Sequence, residues 1–541
     1  MKKSLFLLLV VFGFGANAQI MFEGEDSAAY SELTNRQSWW QKCPEDDNII
    51  GTSSQRAYFK YVKNVEIQEV IVAVIDGGTD VNHEDLKENI WVNADEIPDN
   101  GIDDDGNGYV DDINGWSFIS GPDEDVVYEN MEWVRQIRRL NEKLTLTKEE
   151  AKELKKLNKR LNKEIASAET NMPVATLLYE FWEDLMEFTN DTLTAEKLWD
   201  YSEYDEATDL GRAIAESLAN DYDEDTLGEI QQWRIKENFV EYYDQLTAQL
   251  EYHLNPDYIV RQRVGDDETS NDSPYYGSNR VVGDFADHGT HVAGIIGAVR
   301  NNGIGMNGMA PNAKIMVLRV VPNGDERDKD VANAIRYAVD NGAKVINMSF
   351  GKDYAYMQHE VEAAIQYAAE HDVLLVHGAG NDSKNIDKHP NYPNGIVEAT
   401  GYVYPNFIEV GSTTYGRRAT MVSDFSNYGK TVDIFAPGSH IYSTLPGDRY
   451  DTKSGTSMAA PVVAGTAVLL RGMFPNLSAE EIKDIILASS YTITSKVNRP
   501  GRGKTKFSKL CATGGMLNVF RCIMFAQVRS AEKTVEEINK R

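Results

Sequence analysis

Three short stretches carry an acid, an imidazole and a hydroxyl in settings where each could act on a carbonyl. Asp76 directly follows the apolar run Val70-Ile-Val-Ala-Val-Ile75 and so sits at the carboxyl end of a predicted strand. His288 opens His288-Gly-Thr-His-Val-Ala-Gly294, which reads as a helix start after Asp287. At a helix N-terminus the dipole disfavours the protonated ring, which suits a general base. Ser457 lies in Ser454-Gly-Thr-Ser-Met-Ala-Ala-Pro461, a glycine turn entering a helix. Pro461 is tolerated there because amide hydrogens in a first helical turn have no intrahelical partner. Such a turn exposes the hydroxyl and aims backbone N–H groups at an anion. Taken singly, a turn aspartate and a capping histidine are the commoner explanations. Together, in the chain order Asp, His, Ser, they supply what acyl transfer needs: an attacking oxygen, a proton acceptor and a group that orients the acceptor.

All three stretches closely resemble the motifs of the subtilisin-like (subtilase) serine peptidases: Val-Ile-Asp76-Gly-Gly, His288-Gly-Thr-His-Val-Ala-Gly and Gly-Thr-Ser457-Met-Ala-Ala-Pro. The resemblance runs over about Gly51 to Ile119 and Arg280 to Ser489, not over the residues between. It implies that Ser457 attacks the peptide carbonyl to form an acyl-enzyme. His288 then takes the proton and returns it to the leaving amine, and Asp76 holds the imidazole tautomer. His291, the second histidine of its motif, is expected to be structural. The resemblance also covers Gly378-Ala-Gly-Asn381, which assigns the Asn381 side-chain amide and the Ser457 N–H to the oxyanion. Without the neighbouring motifs, Asn381 would read as a left-handed turn residue. Ser349-Phe350-Gly351 and Gly378-Ala379-Gly380 look like the two segments that flank the substrate, adding it as an extended strand. One departure is Gly77, where the family usually has Ser or Thr.

Acidic loops suggest calcium. In Asn100-Gly-Ile-Asp103-Asp-Asp105-Gly-Asn107-Gly108-Tyr109-Val-Asp111-Asp112, oxygen donors fall at alternate positions. Asp103, Asp105, Asn107, the Tyr109 carbonyl and Asp111 match positions 1, 3, 5, 7 and 9 of a calcium loop, with Gly108 at the turn. Position 12 is Asn114, so Asp112 is the candidate closing carboxylate; a solvated acidic turn is the alternative. A weaker site comes from the resemblance alone, with Asp85 and Asn302 giving side-chain oxygens and Ile304 and Met306 giving carbonyls. No organic cofactor is expected.

These residues need a scaffold. From about Arg280 onward, apolar β-branched runs alternate with helical stretches, the sign of a buried parallel sheet with helical crossovers. Val70–Ile75, Ile315–Val321, Val345–Met348 and Val373–Val376 read as strands; Val331–Val339, Val361–Ala369 and Ser457–Met473 read as helices. Ligand sites in such sheets lie at the carboxyl ends of strands, where the candidates fall. The predicted fold is α/β: a three-layer, doubly wound, mainly parallel sheet with an inserted helical subdomain. Between Asp76 and His288, residues 120–279 are rich in Glu, Lys, Leu and Tyr and poor in Gly, and Leu154, Leu157 and Leu161 share one helical face. The expected organisation is a signal segment (1–18), a first part of the catalytic domain with the acidic loop (19–119), the helical insertion (120–279), the main part (280–495) and a C-terminal extension (496–541).

Composition bounds the function. The formal charge of −31 argues against nucleic-acid binding, which needs basic groups to neutralise phosphates. Lys2 and Lys3, the apolar run to Gly15 and Ala16-Asn17-Ala18 read as a secretory signal cleaved before Gln19. That run is too short for a membrane span, and no other stretch approaches roughly 20 apolar residues. The expected location is therefore secreted or periplasmic. The three cysteines, Cys43, Cys511 and Cys522, read as structural, with Cys511–Cys522 able to bridge if their geometry allows. The expectation is a secreted serine endopeptidase acting on proteins or peptides. The alternatives are a catalytically weak or idle subtilase that binds a partner, and a maturation protease whose insertion recognises one dedicated partner. A non-peptidase serine hydrolase fits less well, since the Gly-x-Ser-x-Gly elbow is not the motif around Ser457.

Overall fold

The computed structural model describes residues 37–540 except 191, 205, 222–235, 268–269, 271–272 and 417–418. The expected signal segment and its cleavage point lie outside the described residues. By contact the chain divides into two compact units, one around residues 169–247 and one made of residues 34–168 and 248–541.

The larger unit is built on a nine-stranded sheet. Its strands are β1 (Val70–Asp76), β2 (Gly115–Ser117), β3 (Ala313–Arg319), β4 (Val345–Met348), β5 (Leu374–Gly378), β6 (Phe407–Thr413), β7 (Ile434–Pro437), β10 (Tyr491–Thr492) and β13 (Gly515–Met516); the pairs β8 (Ile441–Leu445) with β9 (Arg449–Lys453) and β11 (Lys496–Asn498) with β12 (Lys504–Lys506) form separate two-stranded sheets. Their order is β10-β13-β7-β6-β5-β4-β1-β3-β2. All neighbours are parallel except β10 and β13. The central strands are apolar throughout because both faces are covered. Val72 and Val74 of β1 join one core with Val292 and Ile295 of the helix Ala286–Gly297 and with Val463 and Ala467 of the helix Thr456–Met473. Ala73 and Ile75 point the other way, into a second core with Val331 and Ile335 of the helix Asp328–Asp340 and Val361 and Ile365 of the helix Gln358–Glu370. This is the expected three-layer α/β arrangement. β1 lies between β3 and β4, so the chain winds outward from it in both directions. That reversal opens the crevice at the carboxyl ends where Asp76 and Ser349 stand.

The helix Thr456–Met473 is long and apolar enough to span a membrane by composition, yet 89% of it is buried inside the fold. It is the central helix of one layer, which explains why it has no polar face.

Two boundaries differ from expectation. The separate compact unit is 169–247, not the whole of 120–279. It has its own core of Phe181, Trp182, Leu185, Leu198 and Tyr201, and Thr194 caps its helix Ala195–Glu203 by accepting from the Lys197 N–H at 3.2 Å. Residues 120–168 and 248–279 are instead part of the sheet-bearing unit, because their polar groups are satisfied there. Val127 and Glu129 exchange backbone hydrogen bonds with Asn323, each 2.9 Å. Arg135, fully buried, donates to the carbonyls of Asn130 (2.8 Å), Asp325 (3.0 Å) and Glu326 (3.0 Å) and pairs with Glu132 at 2.5 Å. The predicted leucine face packs beside this network, with Leu157 and Leu161 buried against Trp133 and Ile137. The second difference is at the C-terminus. β13 pairs with β7, and Cys522, Ile523 and Ala526 of the helix Val519–Lys540 lie in the main core. Residues beyond 496 therefore help to build the sheet. The three cysteines are free thiols, and Cys511 and Cys522 sit in different hydrophobic cores.

Candidate active site

Asp76 ends β1 with only 3% of its surface exposed, and its backbone carbonyl accepts from the N–H groups of Val320 (2.9 Å) and Val321 (3.2 Å). His288 stands in the first turn of the helix Ala286–Gly297. Its Nδ1 lies 2.8 Å and 3.0 Å from the two carboxylate oxygens of Asp76. The glycine after His288 makes the approach possible: a Cβ on Gly289 would lie 2.1 Å from the Gly78 carbonyl oxygen and 3.1 Å from Asp76 Cβ. Burial alone would lower the His288 pKa, but the Asp76 carboxylate outweighs it and raises the ring above its ordinary value. With 36% of its side-chain surface exposed, solvent tempers that shift. A donor at Nδ1 leaves Nε2 as the basic nitrogen, the arrangement a general base needs. Gly77 adds its own contact, since its N–H donates to Asp76 Oδ1 at 2.8 Å. A Cβ there would meet the Phe285 and Val321 carbonyl oxygens at 3.1 Å, a tight but not closed seat.

His291 behaves differently. It is fully buried, Nε2 faces the Asp451 carbonyl at 3.1 Å, and burial drives its pKa down to about 3. It is a neutral structural ring tying its helix to the hairpin β8 (Ile441–Leu445) and β9 (Arg449–Lys453).

Ser457 is the second residue of the helix Thr456–Met473, which packs on the helix carrying His288. Its hydroxyl donates to the Ser349 carbonyl at 2.9 Å, and its own carbonyl accepts from Ser349 Oγ at 2.9 Å. The structure thus joins Asp76 to His288 and Ser457 to Ser349. A Ser457–His288 hydrogen bond is not among those made, and such bonds commonly tighten only once substrate is bound. Thr456 is a positioning residue with no signal of its own in the sequence. Its N–H (2.8 Å) and hydroxyl (3.1 Å) both go to Asn381 Oδ1, while the Gly380 N–H donates to the Thr456 hydroxyl at 3.0 Å. A Cβ on Gly455 would lie 3.5 Å from both Asn381 Nδ2 and the Ser457 nitrogen, so the two expected oxyanion donors border one small space. Ser349, Phe350 and Gly351 continue from β4, and Gly378, Ala379 and Gly380 continue β5, so the two expected substrate walls leave adjacent strands side by side.

The acidic loop is rearranged relative to expectation. Asp103 spends its carboxylate on the N–H groups of Gly106 (2.8 Å), Asn107 (3.1 Å) and Gly108 (2.9 Å), and Asp111 turns to Asn100 (3.1 Å) and Gly101 (2.9 Å). The Asn107 carbonyl-side oxygen accepts from the Tyr109 N–H at 2.7 Å. The carboxylates that converge are Glu96, Asp105 and Asp112, each offering an oxygen within 4.8 Å of the others. Glu96 lies before the loop, out of its alternating pattern, so the pattern could not find it. Three clustered carboxylates, with Asp112 fully buried and its pKa raised by desolvation, are a donor set suited to a hard cation. At the weaker candidate, Asp85 accepts from Asn302 Nδ2 at 2.6 Å and from the Met306 N–H at 3.1 Å, and burial raises its pKa. Ile304 is held in the same turn by the Asn302 side-chain oxygen at 3.1 Å. The segments therefore meet, with Asp85 as the shared acid.

The sequence profile of the subtilase family matches residues 68–514. A thermophilic serine proteinase of Bacillus sp. (strain AK1) is 44% identical over 189 residues, covering 35% of this chain and 43% of that protein. Thermitase of Thermoactinomyces vulgaris is 42% identical over 217 residues, 40% of this chain and 70% of its own length. A cell wall-associated protease of Bacillus subtilis (strain 168) is 38% identical over 213 residues, 39% of this chain and 22% of that protein. The chain thus spans less than half of the first of these relatives and under a quarter of the third. With the family profile across most of its length and thermitase matched over 70% of its own, the chain belongs to the subtilase family.

Proposed function

We propose that the chain is a serine endopeptidase that cleaves proteins or peptides through an acyl-enzyme on Ser457. The observation that carries this reading is the Asp76–His288 pair: a buried carboxylate on Nδ1 leaves Nε2 free to take a proton. Ser457 attacks the carbonyl of a strand-like substrate lying between Ser349–Gly351 and Gly378–Gly380. Negative charge develops on the carbonyl oxygen and is met by Asn381 Nδ2 and the Ser457 N–H. His288 then protonates the leaving amine, and water repeats the sequence in reverse. The intact set of acid, base, nucleophile and amide donor weighs against an idle subtilase. Casein incubated with the chain and with Ser457→Ala tests the reading: fragments are expected from the first alone, and equal fragmentation would overturn it.

Two finer parts belong to the same proposal. The chain acts outside the cytoplasm, supported by the leader-like residues before Gln19 and by a relative named as cell wall-associated. N-terminal sequencing of exported protein should begin at Gln19. Calcium is held by Glu96, Asp105 and Asp112, where it would tie the loop to the preceding segment; Asp85 with Asn302, Ile304 and Met306 is the second candidate.

A further inference from the structure

A second carboxylate–imidazole pair lies behind the substrate walls. His377 and Glu409 are cross-strand partners in β5 and β6, and Met348 of β4 is level with His377 on its other side. The His377 ring is fully buried; Nδ1 lies 3.1 Å from each Glu409 carboxylate oxygen, and Nε2 lies 2.7 Å from the Phe350 carbonyl oxygen. A carbonyl can only accept, so Nε2 must carry hydrogen. That holds in either protonation state of the pair. If Glu409 is ionised, the ring is an imidazolium that donates from both nitrogens. If Glu409 is neutral, its hydroxyl donates to Nδ1 and the neutral ring keeps its proton on Nε2. The role of Glu409 is thus to fix the tautomer that reaches Phe350. Burial alone would lower the His377 pKa, and the Glu409 charge together with the hydrogen bonds to Glu409 and the Phe350 carbonyl reverses this and raises it.

The consequence falls on the next residue. The Phe350–Gly351 peptide unit is planar and trans, so its C=O and N–H point in opposite directions. Holding the Phe350 carbonyl inward on His377 turns the Gly351 N–H outward. That N–H makes no hydrogen bond among the described residues. On the other side Asn391 fills the seat, since a Cβ on Gly351 would lie 2.6 Å from Asn391 Nδ2. Ser457 is bonded to Ser349, and Gly351 lies two residues further on, one full strand repeat of about 6.6 Å from the nucleophile's partner. A peptide paired with this edge reaches the Gly351 N–H with the residue two before the one whose carbonyl is attacked.

We propose that His377, oriented by Glu409, is a positioning residue that presents the Gly351 N–H to an extended substrate, so that it sets affinity for substrate length and leaves the chemical step untouched. The inference rests on the peptidase reading above. His377 touches neither the nucleophile nor the reacting carbonyl, and Glu409 lies a further strand away.

The test compares two p-nitroanilides with the same residue before the cut, one acylated directly on that residue and one extended to four residues. Only the longer can reach Gly351. For His377→Leu, and for His377→Met as a second donor-free variant in case the first does not fold, KM for the tetrapeptide should rise about five- to tenfold, the effect of one lost hydrogen bond. Its kcat, and both constants for the short substrate, should stay within about twofold. His377→Gln, whose amide keeps a donor near Phe350, should recover most of the tetrapeptide KM. Equal losses on both substrates, a fall in kcat, an unchanged tetrapeptide KM, or no recovery with glutamine would each overturn the inference while the unmodified chain still cleaves. An unmodified chain that cleaves neither substrate overturns the peptidase reading itself, and the inference with it.

Discussion

The side-chain oxygen of Asn381 accepts from both the backbone N–H and the hydroxyl of Thr456, at 2.8 Å and 3.1 Å. Two donors on one oxygen leave no ambiguity about which way the amide faces: Nδ2 points away from Thr456, toward the space it shares with the Ser457 nitrogen. Thr456 and Ser457 are adjacent, so the proposed nucleophile and the proposed oxyanion donor are held by one turn of chain. Substituting Asn381→Ala should lower kcat by about 10²–10³ and change KM little, because the donor acts on charge that exists only in the transition state. Steady-state kinetics on a peptide ester would measure it. Thr456→Val, which removes the hydroxyl but keeps the N–H, should cost less, about tenfold.

Activity should follow the protonation of His288. Only the neutral ring accepts the Ser457 proton, so kcat/KM should rise with pH through a midpoint above the ordinary 6.5. Replacing Asp76→Asn removes the charge that raises the ring and reverses the tautomer preference; the acid limb should shift down and kcat fall by about 10⁴. For stability the sign is opposite. A pKa raised on folding contributes stability below about pH 6.5 that is lost as pH rises through the folded value. A pH series of kcat/KM and of Tm separates the two.

Arg135 anchors residues 120–168 to the sheet-bearing unit. Beside it burial alone would raise the Glu132 pKa, yet the charges of Arg135, Lys352 and Arg139, with the Arg139 hydrogen bond, together outweigh this and hold Glu132 at about 2. Arg135→Met keeps the volume but leaves Glu129 and Glu132 buried without their shared cation, and should cost about 3–5 kcal/mol in denaturant unfolding. Because Glu132 is depressed from 4.5, its share of stability is present above that pH and fades as pH falls toward 2. The variant should therefore flatten the acid-unfolding profile over that interval.

How far the sequence carried these conclusions depended on whether a residue's role is local. Asp76, His288 and Ser457 each sit at the junction of a strand or turn with a helix, and such junctions are visible as composition changes along the chain. The paired alternate faces of β1 are equally local, as a continuous apolar run. Long-range partnerships were not legible. Glu96 joins Asp105 and Asp112 across a loop, Glu409 reaches His377 from the adjacent strand, and Arg135 finds Asp325 and Glu326 nearly two hundred residues away. None of these has a spacing that repeats. Thr456 lies within the serine motif, but its partner Asn381 is 75 positions away. Helical composition likewise shows where helices form and not which body their buried charges join, so it does not delimit the compact unit at 169–247.

Removing divalent cations should loosen the acidic loop. Without a cation, the converging carboxylates of Glu96, Asp105 and Asp112 repel one another. Chelation is expected to lower Tm and calcium to restore it. Asp105→Asn should abolish the calcium-dependent part of Tm with little effect on kcat, and a Tm indifferent to calcium in both proteins would contradict the assignment.

The most direct test of the central claim is the site of covalent capture. A fluorophosphonate reacts only with a serine whose base and oxyanion donors are in place. Peptide mapping by mass spectrometry should find the adduct on Ser457, on no other serine, with capture abolished by Ser457→Ala and strongly slowed by Asp76→Asn. An adduct elsewhere, or capture that survives Ser457→Ala, would contradict the account.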